Sequence, residues 1–143
     1  MKIITKSKEE TQALAKKLGL SLTKGTTILL FGNLGAGKTT FVQGLALGLD
    51  VTQKVNSPTF VIMKEYEGRI PLIHIDAYRL EGLKQDLGFE DYPHDEVVKV
   101  IEWPEYYYES DLYFNKITIN TIDENTREII FDFKDTQLLE AIQ

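Results

Sequence analysis

The chain contains no cysteine, which excludes disulfides and thiolate metal sites. It has no apolar run long enough to span a bilayer, and the N-terminal Met1-Lys2-Ile3-Ile4-Thr5-Lys6 lacks the hydrophobic centre of a signal peptide. Both absences fit a cytoplasmic protein. A basic excess is missing as well. The formal net charge is −6, whereas a protein that holds nucleic acid by itself shows a basic face. Lys2, Lys6, Lys8, Lys16, Lys17 and Lys24 do gather near the N-terminus, but their spacing is that of a solvated helix surface. Tight RNA binding by this chain alone is not expected. Repeats, linkers and low-complexity segments are also lacking. A length of 143 residues with 43% hydrophobic content suits one domain, 1–143, around one core.

What the chain does have is Gly32-Asn33-Leu34-Gly35-Ala36-Gly37-Lys38-Thr39. It fits G-x-x-x-x-G-K-[ST] at every fixed position. The apolar Thr27-Ile28-Leu29-Leu30-Phe31 before it reads as a buried strand, and Thr40 to Leu47 after it as a helix. Strand, glycine loop and helix in that order make a phosphate-binding loop. Glycines let backbone N–H groups turn inward around phosphate oxygens, and the helix N-terminus adds partial positive charge. In such a loop Lys38 reaches the β and γ phosphates, and the Thr39 hydroxyl ligates Mg²⁺.

Around the loop the pattern predicts an α/β fold. Ser7-Lys8-Glu9-Glu10 matches a capping box and starts a helix running to about Leu18, with Leu14 and Leu18 on its buried side and Gly19 near its end. Thr59–Tyr66 and Pro71–Asp76 read as strands joined by the turn Glu67-Gly68-Arg69. Short helical turns are expected between Arg79 and His94. Val97–Glu102 is a strong strand, closed by Pro104. Ile117–Ile122 and Glu128–Phe133 alternate and form a second hairpin, and Asp135 caps a last short helix. The expected architecture is a three-layer P-loop NTPase-like domain with a mixed central sheet, parallel near the loop and antiparallel at its margins.

A phosphate loop needs an acid for its Mg²⁺, commonly at the C-terminal end of a buried strand. Asp76 and Glu102 both fit, each ending an apolar strand where open α/β sheets place ligands. Ser57-Pro58-Thr59-Phe60 could supply a hydroxyl that senses the γ-phosphate, as in nucleotide switches; by its turn chemistry alone it is a turn entering a strand.

These elements, taken in order, resemble the TsaE (YjeE) family of bacterial ATPases of tRNA threonylcarbamoyladenosine (t6A) biosynthesis. The resemblance rests on Leu34–Phe41, Asn56-Ser57-Pro58-Thr59-Phe60, His74-Ile75-Asp76-Ala77-Tyr78-Arg79-Leu80, Leu87-Gly88 with Asp91-Tyr92, and Ile101-Glu102-Trp103-Pro104. The glycine loop is common to many NTPases; the other elements together are more specific. The resemblance implies that Gly35, Ala36, Gly37, Lys38, Thr39 and Thr40 bind the phosphates of ATP. It makes Thr39 and Glu102 the Mg²⁺ ligands and Asp76 the other essential acid, orienting water or groups around the metal. Ser57, Thr59 and the Glu102-Trp103 corner are implied to be nucleotide-responsive switches. Thr11 matches the family threonine beside the nucleotide base, although by itself it is an interior helix residue, as Trp103 by itself is a packed aromatic. The implied partners are a TsaB–TsaD pair that carries out threonylcarbamoyl transfer, so contact with tRNA is indirect. Two features depart from the family pattern: Lys99 inside an otherwise apolar strand, and the run Tyr106-Tyr107-Tyr108.

Three other readings share the loop. A small-molecule kinase needs an arginine-bearing lid, and only Arg69 and Arg79 lie in the middle of the chain. A GTPase reads guanine with N-K-x-D, of which Asn115-Lys116-Ile117-Thr118 has only the first two residues. A non-catalytic nucleotide-binding assembly subunit would use the same loop without turnover.

Overall fold

A computed structural model describes residues 1–33, 35–56, 63–78, 95–104 and 115–143. They form one seven-stranded sheet with helices on it. In chain order the elements are β1 (Lys2–Thr5), α1 (Lys8–Ser21), β2 (Thr26–Phe31), α2 (Lys38–Gly48), β3 (Met63–Tyr66), β4 (Leu72–Asp76), β5 (Val98–Glu102), β6 (Asn115–Thr121), β7 (Arg127–Asp132) and α3 (Thr136–Ala141). The sheet order is β1-β7-β6-β2-β5-β4-β3. β6, β2, β5 and β4 run parallel, while β3, β7 and β1 join antiparallel at the two margins. The expected mixed sheet and both expected hairpins are therefore present. The expected turns within 79–94 lie outside the described residues, as does the first part of the strand expected from Thr59.

Both faces of the sheet are buried. On one, Ile28, Leu30, Val98, Val100, Ile117 and Phe131 pack under Leu14 and Leu18 of α1, Phe41, Val42 and Leu45 of α2, and Leu138 of α3. On the other, Leu29, Ile73, Ile75, Ala77, Val97 and Ile101 form a second cluster. Strand alternation divides the two sets: even-numbered positions of β4 and β5 face α1 and α2, odd-numbered ones face away. The fully buried Lys99 belongs to the far face. Six lysines near the N-terminus, Lys2, Lys6, Lys8, Lys16, Lys17 and Lys24, are exposed, as their spacing suggested.

Ser7 caps α1 by accepting from the Glu10 N–H at 3.1 Å, and Glu10 in turn accepts from the Lys6 N–H. The helix runs past Gly19 to Ser21 instead of ending near it. Gly19 serves a close approach: a Cβ there would stand 2.5 Å from the Leu45 carbonyl oxygen of α2. β1 was not evident from its four residues; it forms because β7 offers an edge to pair with, Ile3 opposite Ile129.

Arg69 fastens the far end of the two helices. From the β3–β4 turn its guanidinium donates to the carbonyls of Leu22 (2.6 Å), Gly19 (2.9 Å) and Gly48 (3.1 Å), with Asp50 3.9 Å away. These carbonyls lie at the C-terminal ends of α1 and α2, where partial negative charge collects; that of Gly19 also accepts the cap N–H of Leu22 at 3.3 Å. Arg69→Ala is expected to lower stability by about 2 kcal/mol, the scale of lost hydrogen bonds to a charged group. Chemical denaturation checks this; an unchanged midpoint would mean that water replaces the clasp.

Candidate functional site

The glycine loop leaves β2, a central strand flanked by two parallel neighbours, and delivers the chain into α2. Gly35 and Gly37 have φ of +79° and +102°, a backbone region that side chains with a Cβ rarely adopt. Gly37 is the N-cap of α2 and offers no side-chain cap, so first-turn N–H groups are left for an anion. The Ala36 N–H donates to the Asn33 carbonyl at 3.0 Å, closing a turn within the loop.

Lys38, the first residue of α2, is buried to 6% exposure. Its ammonium donates to the Gly32 carbonyl at 2.6 Å and stands 3.8 Å from the centroid of the Trp103 ring. This is a cation–π arrangement. Trp103 itself has φ +54°, a costly region for a residue with a bulky side chain, and Tyr78 meets its ring edge-on at 5.1 Å. Two residues singled out separately in the sequence, the loop lysine and the tryptophan after Glu102, are thus in contact.

Asp76 and Glu102 are opposite each other on adjacent parallel strands, and Glu102 is in register with Leu30, two residues before the loop. Both candidate acids therefore stand at the C-terminal edge of the sheet beside the loop. Their environments differ. Glu102 is 3% exposed and accepts a hydrogen bond from His74 Nε2, also fully buried. A carboxylate can only accept, so the imidazole donates through Nε2, and Nδ1 has no partner among the described residues. The Glu102 backbone carbonyl accepts from the Ala77 N–H at 3.0 Å, closing the corner. Asp76 is half-buried and accepts the Tyr78 N–H at 3.0 Å. Burial pushes its carboxyl above the ordinary carboxylate range. The Tyr78 bond opposes that shift, Glu102 adds to it, and His74 and Lys38 counteract.

A cavity of about 360 Å³ opens beside the loop, lined by Ser7, Thr11, Gly35, Gly37, Thr40 and Arg127 among others. Thr11, matched above only through a resemblance, reaches its wall. The residue is buried, sharing a 2.7 Å hydrogen bond with Thr5 and donating to the Ser7 carbonyl at 3.3 Å. Thr39 lies in the first turn of α2, half-buried. Ser57, Thr59 and Tyr106–Tyr108 lie outside the described residues. Asn115, half of the incomplete guanine-reading motif, is bonded to Thr26 at the start of β2, the opposite end of the strand from the loop. Sequence reasoning did not single out Arg127 or the His74–Glu102 pairing. The H-x-D spacing could have pointed to the latter, because residues two apart in a strand share a face.

Among the described residues no cluster of three His, Cys, Asp or Glu side chains forms a protein cage for a metal. Mg²⁺ is ordinarily held by one or two carboxylates or hydroxyls together with substrate phosphates. The carboxyls of Glu102 and Asp76 at the sheet edge and the hydroxyl of Thr39 in the first turn of α2 are oxygen donors of that kind.

This glycine loop between a central parallel strand and a helix, flanked by strand-end acids, defines a P-loop NTPase-like α/β protein. Comparison with known proteins narrows the class. A family profile described as "Threonylcarbamoyl adenosine biosynthesis protein TsaE" matches residues 5–129, and the chain belongs to the TsaE family. It is 49% identical over 100 residues to the tRNA threonylcarbamoyladenosine biosynthesis protein TsaE of Bacillus subtilis, covering 69% of this chain and 63% of that one. The corresponding Nostoc protein is 44% identical over 134 residues, covering 89% and 82%. The crystal structure of Bacillus subtilis YdiB superposes with a TM-score of 0.82 at 35% identity, covering 99% of this chain and 93% of that one.

Proposed function

We propose that this protein is a Mg²⁺-dependent ATPase that hydrolyses ATP to drive a conformational cycle of the t6A transfer complex, a TsaB–TsaD-type pair. The observation that carries the reading is the convergence of Lys38, Asp76 and Glu102 at one sheet edge around a glycine loop. The loop amides and Lys38 bind the phosphates. Thr39 and Glu102 hold Mg²⁺, whose positive charge lowers the cost of charge build-up on the β and γ phosphates. Asp76 orients the attacking water. Thr40 binds phosphate with the loop, Thr11 on the wall of the same cavity lies by the nucleotide base, and Ser57 and Thr59 act as switch hydroxyls. The Glu102-Trp103 corner is the second switch, because phosphates that draw Lys38 away take a partner from the Trp103 ring.

The kinase and GTPase readings gain no support from the described residues. Arg69 is engaged at the helix C-termini, Arg79 lies outside the described residues, and Asn115 stands at the opposite end of β2 from the loop.

The test is single-turnover phosphate release with and without a TsaB–TsaD pair. Slow release alone and stimulation by the pair are expected, since a transition-state group supplied in trans can be worth about 10³–10⁵ in rate. Equal rates under saturating ATP would remove the regulatory role. Binding without any release under either condition would leave a nucleotide-dependent assembly subunit.

A further inference from the structure

Arg127, the first residue of β7, lies across the gap between two backbone segments that share no other described hydrogen bond. Toward the glycine loop, Nε donates to the Ala36 carbonyl at 2.9 Å and Nη2 to the Gly35 carbonyl at 3.4 Å. Toward the β6–β7 turn, Nη1 donates to the carbonyls of Asp123 (2.7 Å), Thr126 (3.1 Å) and Glu124 (3.3 Å). The turn is itself braced. Asp123 Oδ1 accepts the N–H groups of Asn125 (3.0 Å) and Thr126 (2.9 Å), and these bonds hold its carboxyl below the usual range. The guanidinium is a rigid plane of five donors, so fixing one side on the turn fixes where the other side meets the loop.

A glycine-rich loop has little conformational preference of its own. In a planar trans peptide the carbonyl of one residue and the N–H of the next point in opposite directions. Holding the Ala36 carbonyl on Arg127 therefore turns the Gly37 N–H away from the guanidinium and leaves it unencumbered by that contact. We propose that Arg127 is a positioning residue for the phosphate loop, clasping the Gly35 and Ala36 carbonyls to the Asp123–Thr126 turn so that the loop is preformed for an oligophosphate. The inference rests on reading the loop as a phosphate cradle, and it deepens that reading by making an exposed turn on another strand part of the binding apparatus. The gain comes from preorganisation, since a loop already in its bound shape loses less entropy when the anion arrives.

The experiment compares wild type with Arg127→Ala, Arg127→Lys and Asp123→Ala. Calorimetry measures affinity for ATP and for inorganic tripolyphosphate, and amide hydrogen exchange is followed in the free protein. Arg127→Ala is expected to weaken both ligands by about tenfold or more, the scale of losing charged hydrogen bonds. Exchange should quicken in residues 35–38 before it does in the sheet. A lysine cannot span both segments, so Arg127→Lys keeps the wild-type melting temperature yet recovers only part of the affinity. Asp123→Ala gives a smaller loss in the same direction. Wild-type exchange and affinity in Arg127→Ala overturn the proposal, as does full recovery by lysine. A loss for ATP with tripolyphosphate binding unchanged also overturns it, because Arg127 would then be a nucleoside contact. Should Arg127→Ala fail to fold, the other two variants decide, and wild-type behaviour in both is a refutation. If the wild type binds neither ligand, the ATPase reading fails, while exchange in the free protein still judges the clasp.

Discussion

Lys38→Ala should abolish ATP hydrolysis, a fall on the order of 10³-fold or more, because it removes the charge compensation at the β and γ phosphates. The same substitution removes the ammonium that bonds the Gly32 carbonyl and lies over the Trp103 ring. Trp103 is the only tryptophan of the chain, so its emission reports on that contact. In the wild type, ATP with Mg²⁺ should shift Trp103 fluorescence as Lys38 leaves the ring for the phosphates, whereas adenosine, lacking phosphates, should not. In Lys38→Ala the emission should differ before any ligand is added and should no longer respond to ATP. An intact melting transition for the variant separates this outcome from misfolding. A variant that still hydrolyses ATP at the wild-type rate would remove Lys38 from the mechanism and leave the loop as a turn.

The loop was legible in the sequence because its chemistry demands particular residue types at fixed intervals: glycines where φ is positive, a lysine and a hydroxyl at the helix start. The two hairpins were legible because alternation marks a strand and a short polar turn marks its reversal. That Asp76 and Glu102 share the C-terminal edge of the sheet followed from each ending an apolar strand; that they stand opposite each other is fixed by the register of β4 on β5. Other features have no such local signature. β1 depends on an edge supplied by β7, more than a hundred residues later. Arg69 and Arg127 bind backbone carbonyls, which every residue has, so no side-chain pattern marks their targets. α1 continues past a glycine that looked like a terminator because packing against α2 requires the absence of a Cβ there. His74 reads as an ordinary strand residue until the fold sets it against Glu102, 28 positions away. Long-range contacts between segments distant in sequence carry most of what was missed.

Glu102→Ala should raise the Mg²⁺ concentration needed for turnover or stop it, with ATP binding in the absence of metal retained. The acid is buried, fixed at the end of β5 beside the loop strand, and one of its oxygens is engaged by His74. That engagement restricts how the carboxylate can turn, and partners of this kind are typically worth about 10–100-fold in metal affinity or activity. His74→Ala should therefore shift the Mg²⁺ requirement in the same direction as Glu102→Ala but less severely. His74→Gln, which can still donate to the carboxylate, should recover part of the loss. Binding of Mn²⁺ in the presence of ADP, followed by electron paramagnetic resonance, reads the metal without turnover. Asp76 provides the contrast. Its carboxyl is half-exposed and held by the Tyr78 N–H with no described bond to a histidine, so Asp76→Ala should abolish turnover while Mn²⁺ binding persists. The reverse pattern, with metal binding lost in Asp76→Ala and untouched in Glu102→Ala, would exchange the two roles: the acid braced by His74 would then be the one that orients water, and the half-exposed acid the one that holds the ion.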